Sequence, residues 1–229
     1  EARGDAEFCT DGTMVNTTDG WREMRLGIFT KRPRGAPATP QEWNTRQVPE
    51  TTARVAFAAI ETSTRFGLRW QRWTQRLGIR DTSKLSVLAD GARWIWEESA
   101  LHFAGASEVL DIFHAVEQIA ATAQKLYGEG TEAARAWTDQ TRAKLIAEGW
   151  PGVAAHLRET QRLVRKRTAR MALKKLETYL GRQPEHLQYA QRLAEGRTIG
   201  SGQAEGACRH MIGRRLKNGG RWKVRRGNR

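Results

Sequence analysis

Apolar and polar positions change period along this chain, and the changes mark its elements. Residues 6–14 form a short mixed segment that predicts a strand ending near Asp11-Gly12, and residues 16–20 carry turn chemistry. From Trp21 to Thr30 the pattern alternates, with Arg22, Met24, Leu26, Ile28 and Thr30 on one side and Trp21, Glu23, Arg25, Gly27 and Phe29 on the other. That period predicts a second strand, antiparallel to the first. Lys31 to Pro49 holds four prolines and predicts a loop, and Thr52–Ile60 predicts a third strand. Phe66, Trp70, Trp73 and Leu77 recur at helical spacing across Glu61–Leu77, and Gly78 closes that helix. Leu85-Ser86-Val87-Leu88-Ala89 is a compact apolar strand running straight into Asp90-Gly91. Residues 92–103 predict a helix with Ile95, Trp96, Ala100 and Phe103 inward, and Ser107–Phe113 predicts a strand. The first half therefore reads β-β-β-α-β-α-β. From His114 to about Glu195 the pattern is helical, with breaks at Gly128–Gly130, Gly149–Gly152 and Gly181–Pro184. Thr198–Gly202 reads as a turn opening a last helix from Gln203 to about Lys217. No internal repeat is present. The class is α/β.

Charge narrows the partner. The 229 residues contain 39 Lys and Arg against 25 Asp and Glu, a formal charge of +14, which favours a polyanion. Residues 197–229 hold ten of the cations and one acid, Glu205. Residues 158–175 hold eight cations and one acid, which fits either a phosphate-binding surface or a solvated helix face. Nine Trp and six Phe supply bulky core side chains, so the chain folds despite its polarity. It contains no run of 18 apolar residues, so no membrane partner is expected. Two distant cysteines, Cys9 and Cys208, exclude a disulfide framework and fit a reducing cytoplasm. The first residue is Glu1, and the chain reads as a piece of a longer protein.

Three acids stand out by position. Asp11-Gly12 and Asp90-Gly91 each place a short carboxylate at a predicted strand end, followed by a residue that lets the chain turn and a ligand approach. Asp-Gly is also the commonest turn dipeptide, so a hairpin or helix-cap role accounts for either one taken alone. Two such carboxylates on neighbouring strands would concentrate negative charge that Mg²⁺ or Mn²⁺ offsets. Glu205 lies on the first turn of the last predicted helix. If Ser201 caps that helix, the capping-box position is Ala204, so Glu205 is not needed for capping. Three carboxylates holding two divalent ions suit in-line phosphodiester displacement, with the basic surfaces gripping the flanking phosphates. Arg209, Arg214, Arg215, Lys217, Arg221 and Lys223 are the candidate DNA-binding cations.

Four stretches carry a resemblance. They are residues 11–15 with 21–27, Leu88-Ala89-Asp90-Gly91-Ala92-Arg93-Trp94-Ile95-Trp96, Leu110-Asp111-Ile112-Phe113-His114-Ala115, and Ile199-Gly200-Ser201-Gly202-Gln203-Ala204-Glu205-Gly206-Ala207-Cys208-Arg209. In this order they resemble the catalytic core of a D-D-E transposase of a bacterial insertion sequence, in the Mutator-like group. The resemblance implies an RNase H-like mixed sheet with a large all-helical insertion before the last catalytic helix. It divides the chain into a first core part at 1–113, an insertion at 114–196, and a catalytic helix with a basic tail at 197–229. It implies Asp11, Asp90 and Glu205 as the catalytic, metal-binding triad for two Mg²⁺ or Mn²⁺ ions. Asp111 and His114 match the group's Asp-x-x-His motif and become a secondary active-site pair, whereas His114 read by itself is a structural histidine. The implied partners are DNA, as transposon ends and target, and further copies of the chain in a homodimer or larger assembly; the implied location is the nucleoid. Such transposases usually carry an N-terminal DNA-binding region that is absent from these 229 residues.

Two rival readings fit the same residues: a non-enzymatic or catalytically dead basic nucleic-acid-binding protein, and an RNase H-like nuclease that cuts without joining. Other chemistries lack their residues. Gly200-Ser201-Gly202 has Glu205 where a dinucleotide motif needs glycine, Ser201 and Cys208 lack a base partner, and the five histidines show no zinc pair. Trp70, Trp73, Trp94 and Trp96 are expected in the core, and Trp222 is the better candidate for stacking on a base.

Overall fold

The computed structural model describes residues 3–201. These divide into two compact units: 3–33, 49–108 and 201 in one, 34–48 and 109–200 in the other. The chain is α/β, with a five-stranded mixed sheet in the order β3-β2-β1-β4-β5.

In the first unit, β1 (Asp5–Thr17) and β2 (Gly20–Arg32) form a long antiparallel hairpin. The Thr17 hydroxyl donates to the Gly20 carbonyl at 2.6 Å and accepts from the Asp19 N–H at 3.2 Å, which closes the turn. Gly20 there has φ +94°, a conformation that suits glycine. β3 (Ala53–Ala59) pairs antiparallel with β2, and β4 (Leu85–Ala89) pairs parallel with β1. β5 (Ser107–Leu110) lies at the edge beyond β4. The order of elements follows the sequence expectation, with α1 (Ser63–Arg76) between β3 and β4 and α2 (Arg93–His102) between β4 and β5.

The end of β1 differs from expectation. β1 does not stop at Asp11-Gly12 but continues to Thr17, because β2 pairs with it over its whole length. Only the ladder to β4 ends there, at Thr10↔Ala89.

The core of this unit is aromatic. The Phe8 ring centroid lies 4.6 Å from Phe29 and 4.7 Å from Trp70, and Trp70 stacks on Phe103 at 5.5 Å. Phe66 and Trp70, one helical turn apart on α1, are fully buried, as expected for a core stripe. Gly27 of β2 is required by this packing: a Cβ there would meet the Phe57 ring at 2.5 Å. On α2, Ile95, Trp96 and Phe103 turn inward as expected, but Ala100 is exposed, and Glu98 and Ser99 take the buried positions.

The second unit is helical. It contains α3 (Ile112–Tyr127), α4 (Glu132–Leu163), α5 (Arg167–Gly181) and the short α6 (Tyr189–Ala194). The glycine breaks fall as the pattern predicts. Gly128 and Gly130 have φ +98° and +72°, and Gly149 (φ +62°) kinks α4 just before Pro151. α3 packs on α4 and α5 around Trp137, Leu145, Val153, Leu157, Leu173 and Leu176. The buried Trp137 indole N–H donates to the Thr160 hydroxyl at 3.0 Å. The predicted strand Ser107–Phe113 ends early, at Leu110, because the Asp111 carboxylate accepts the Phe113 N–H at 2.7 Å and caps α3. Segment 34–48 belongs to this unit through backbone bonds, Gly35 N–H to Gly196 O at 2.9 Å and Ala38 N–H to Leu193 O at 3.0 Å. Among the described residues no helix is long and apolar enough to cross a membrane.

Candidate active site

β1 and β4 run side by side from Ala6↔Leu85 to Thr10↔Ala89. Asp11 and Asp90 are the next residue on each chain, so two acids far apart in sequence leave the same end of one parallel ladder. Strand spacing in such a ladder is about 4.8 Å. Asp11 has the parity of Glu7 and Cys9, and Asp90 that of Ser86 and Leu88, so the register assigns both to one side of the sheet. The five residues of β4 are all buried, which gives Asp90 a rigid support.

Each carboxylate is also fixed locally. Asp11 Oδ1 accepts the Gly12 N–H at 2.7 Å. Asp90 Oδ1 accepts the Ala92 N–H at 2.9 Å, ahead of α2, whose own N-cap residue Ala92 has no capping side chain. Both acids are half-buried. Asp90 thus has the helix-start role that its position suggested.

A cationic bracket backs this end of the sheet. Arg25 of β2 pairs with Gly12 across the ladder. Its guanidinium lies 4.8 Å from the Trp94 ring centroid, contacts Glu23 at 2.6 Å, and donates to the Glu61 carbonyl. Trp94 in turn lies against Phe66 and Trp70 at 6.3 and 6.0 Å. Arg25 therefore joins β2 to the first turn of α2, and so fixes the Asp11 strand relative to the Asp90 turn. A Cβ at Gly12 would meet Glu23 Oε1 at 2.6 Å, so glycine leaves room for that carboxylate over the strand. Glu61 receives two bonds from Arg69, at 2.8 and 2.6 Å, and this pairing holds its carboxyl below the ordinary range. The alternation of β2 put Glu23 and Arg25 on one side, but the stacking partner lies 69 residues away and carried no signal in the sequence.

Asp111 and His114 come together on the first turn of α3, in the second unit. Asp111 is 2% exposed, and its Oδ1 caps the helix through the Phe113 N–H. Nearby, the Tyr189 hydroxyl donates to Leu110 O at 2.7 Å; burial, reinforced by the Asp111 charge, raises its pKa well above that of a free phenol. His114 is partly exposed, with Nδ1 3.4 Å from Glu117. Glu205 and the candidate DNA-binding residues Arg209, Arg214, Arg215, Lys217, Arg221 and Lys223 lie outside the described residues, as do Cys208 and Trp222.

The donor set fits a hard divalent ion. Two carboxylates on rigid neighbouring strand ends are the ligands that Mg²⁺ or Mn²⁺ takes from a protein, with water in the remaining positions. Among the described residues no group of three His, Cys, Asp or Glu lies where it could hold a metal ion. No family model matches the chain, and no curated protein matches it.

Proposed function

We propose that this chain is the catalytic core of a D-D-E DNA transposase with RNase H-like architecture, acting on transposon ends and target DNA as a homodimer or larger assembly at the nucleoid. The observation that carries the reading is the common ladder end at Thr10↔Ala89, from which Asp11 and Asp90 both emerge. The sheet order, with one antiparallel hairpin and a parallel strand beside β1, is compatible with the architecture that the resemblance implies. Asp11, Asp90 and Glu205 would hold Mg²⁺ or Mn²⁺, which when bound would supply charge stabilisation at a scissile phosphate. The chain's own work is to hold the two aspartates rigidly. Gly12 and Ala92 N–H groups orient them, and Arg25 with Trp94 locks the two strand ends together. The excess of cations would retain the polyanionic substrate.

The test is nicking of supercoiled plasmid by the full chain in Mn²⁺. Asp90→Asn, which keeps the Oδ1 acceptor and removes the charge, should abolish nicking. Unchanged nicking in that variant, or no Mn²⁺-dependent nicking by the wild type, overturns the reading. Joining of a labelled, pre-cut 3′-hydroxyl duplex to the plasmid separates a transposase from a nuclease.

A further inference from the structure

We infer that the corner between α4 and α5 binds the phosphate backbone of duplex DNA. The inference shares the view that DNA is this chain's polyanion, but it does not depend on the carboxylates. Residues 158–175 hold eight cations and a single acid, Glu159, and all eight cations are exposed.

Helix geometry places them on the solvent sides of α4 and α5 and on the connection between them. On α5, Ala169, Leu173, Leu176 and Leu180 form the buried stripe, and Arg167, Arg170 and Lys174 follow one another at helical spacing on the solvent side. From Arg167 to Lys174 the helix rises about 10 Å, enough to span roughly three nucleotides at 3.4 Å each. Arg158 and Arg162 share a face of α4 at i, i+4, and Arg165 and Lys166 fill the connection. The corner is held in shape. Arg170 Nε donates to the Val164 carbonyl at 2.8 Å, and the Val164 N–H donates to Thr160 O at 3.2 Å.

The charges run against the helix. The positive end of a helix dipole favours acids in the first turn. α5 starts instead with Lys166 as an N-cap that gives no side-chain bond, then Arg167 and Arg170, with no acid in its first turn. The bond to the Val164 carbonyl gives Arg170 a local role, and an external anion would engage Lys166, Arg167 and the first-turn N–H groups together.

Composition selects the occupant. Residues 158–175 contain no Phe, Trp, Tyr or His, so they offer none of the aromatic platforms on which single-stranded bases stack. A membrane-surface helix lays its apolar face in lipid, but the apolar face of α5 is buried in protein, and only Leu163 and Met171 are exposed large apolar side chains in the stretch. A duplex backbone needs only a surface of positive charge.

The test compares two triple variants of the full chain by fluorescence anisotropy on a duplex of about 30 base pairs across a KCl series. Arg162→Gln/Arg167→Gln/Lys174→Gln removes three corner cations. Arg54→Gln/Arg72→Gln/Arg80→Gln removes three exposed cations of the first unit. The corner variant should flatten the slope of log K against log [KCl] by roughly 2 to 3, at about 0.9 per lost phosphate contact. The control should leave the slope near wild type. An unchanged slope in the corner variant overturns the inference, as does an equal loss in the control. So does loss of binding to phosphatidylserine vesicles with duplex binding intact. If the triple variant fails to fold, the single variant Arg162→Gln should lower the slope by about 1, and no change there also overturns it. Asp90→Asn should keep the wild-type slope, so failure of the catalytic reading and failure of this one give different results.

Discussion

Asp11 and Asp90 are each the first residue past the last rung that β1 and β4 share, Thr10↔Ala89. Neither position is an accident of a flexible loop. Asp11 remains inside a strand paired with β2, and Asp90 leaves a strand whose five residues are all buried. Two carboxylates held at neighbouring strand ends by the backbone are a ligand pair that a hard divalent cation can join. Mn²⁺ should therefore raise the melting temperature of the wild type. At 100-fold excess over its Kd the gain is about 2.7 kcal/mol, a shift of roughly 5–10 °C for a chain of this size. Asp11→Asn and Asp90→Asn should each lose most of that gain. Both should melt in EDTA close to the wild-type temperature, since each keeps an acceptor oxygen for its backbone N–H. Differential scanning fluorimetry with and without Mn²⁺ reads both effects.

Arg25 should matter through shape as well as charge. Its planar guanidinium stacks on Trp94 while reaching Glu23 and the Glu61 carbonyl. A lysine can supply the charge but not the flat, forked donor. Arg25→Lys should cost about 1–2 kcal/mol in urea denaturation, at the level of a partly desolvated cation–π contact. The contact to Glu23 adds little, because that carboxylate side chain is 41% exposed. The loss should be the same in EDTA and in Mn²⁺, which distinguishes a fold-level contact from a metal ligand.

How far the sequence could be read depended on whether a feature was local. The apolar run Leu85–Ala89, the helical spacing of Phe66 and Trp70, and the glycine breaks of the second half are local signals, and their elements stand where the pattern puts them. Asp11-Gly12 looked like a strand end. Its dipeptide chemistry is local and legible, but the pairing with β2 that carries the strand on to Thr17 is tertiary. Asp111 is the reverse case: the apolar pattern carries the expected strand on to Phe113, but the Asp111 bond to the Phe113 N–H starts a helix there. Segment 34–48 joins the helical unit through backbone bonds to Gly196 and Leu193, and backbone partners leave no trace in composition. The stacking of Arg25 on Trp94 is likewise tertiary, so that part of the candidate site could only come from the fold.

Gly27 tests the aromatic core directly. The Phe57 ring lies over it, and Phe57 also packs against Phe66 at 5.4 Å and Trp73 at 5.8 Å, so the ring has little room to retreat. Gly27→Ala should destabilise by about 1–3 kcal/mol, the usual cost of overpacking a filled core. Phe57→Leu should cost a comparable amount by losing contacts. The double variant should cost less than the sum of the two, because the smaller side chain makes room for the methyl group. A double-mutant cycle by calorimetry measures that shortfall, and strict additivity would mean that the two positions do not meet.

His156 should make stability depend on pH on the acid side of neutrality. It is 6% exposed and stacks on Trp137 at 5.5 Å. Burial, with the nearby Lys144 charge second, lowers its pKa in the folded chain below the ordinary value of about 6.5. The fold thus prefers the neutral ring. Once the pH drops below about 6.5, the unfolded chain takes up a proton at this position that the folded chain does not. Stability should fall through that window, by at most about 1.4 kcal/mol per pH unit, and level off below the folded-state pKa. Above about pH 7.5 the group is neutral in both states and contributes nothing to the slope. His156→Phe keeps an aromatic ring against Trp137 and removes the titration. Urea midpoints measured from pH 5 to 8 should therefore fall less steeply with acid in the variant than in the wild type, and parallel curves would show that His156 titrates alike in both states.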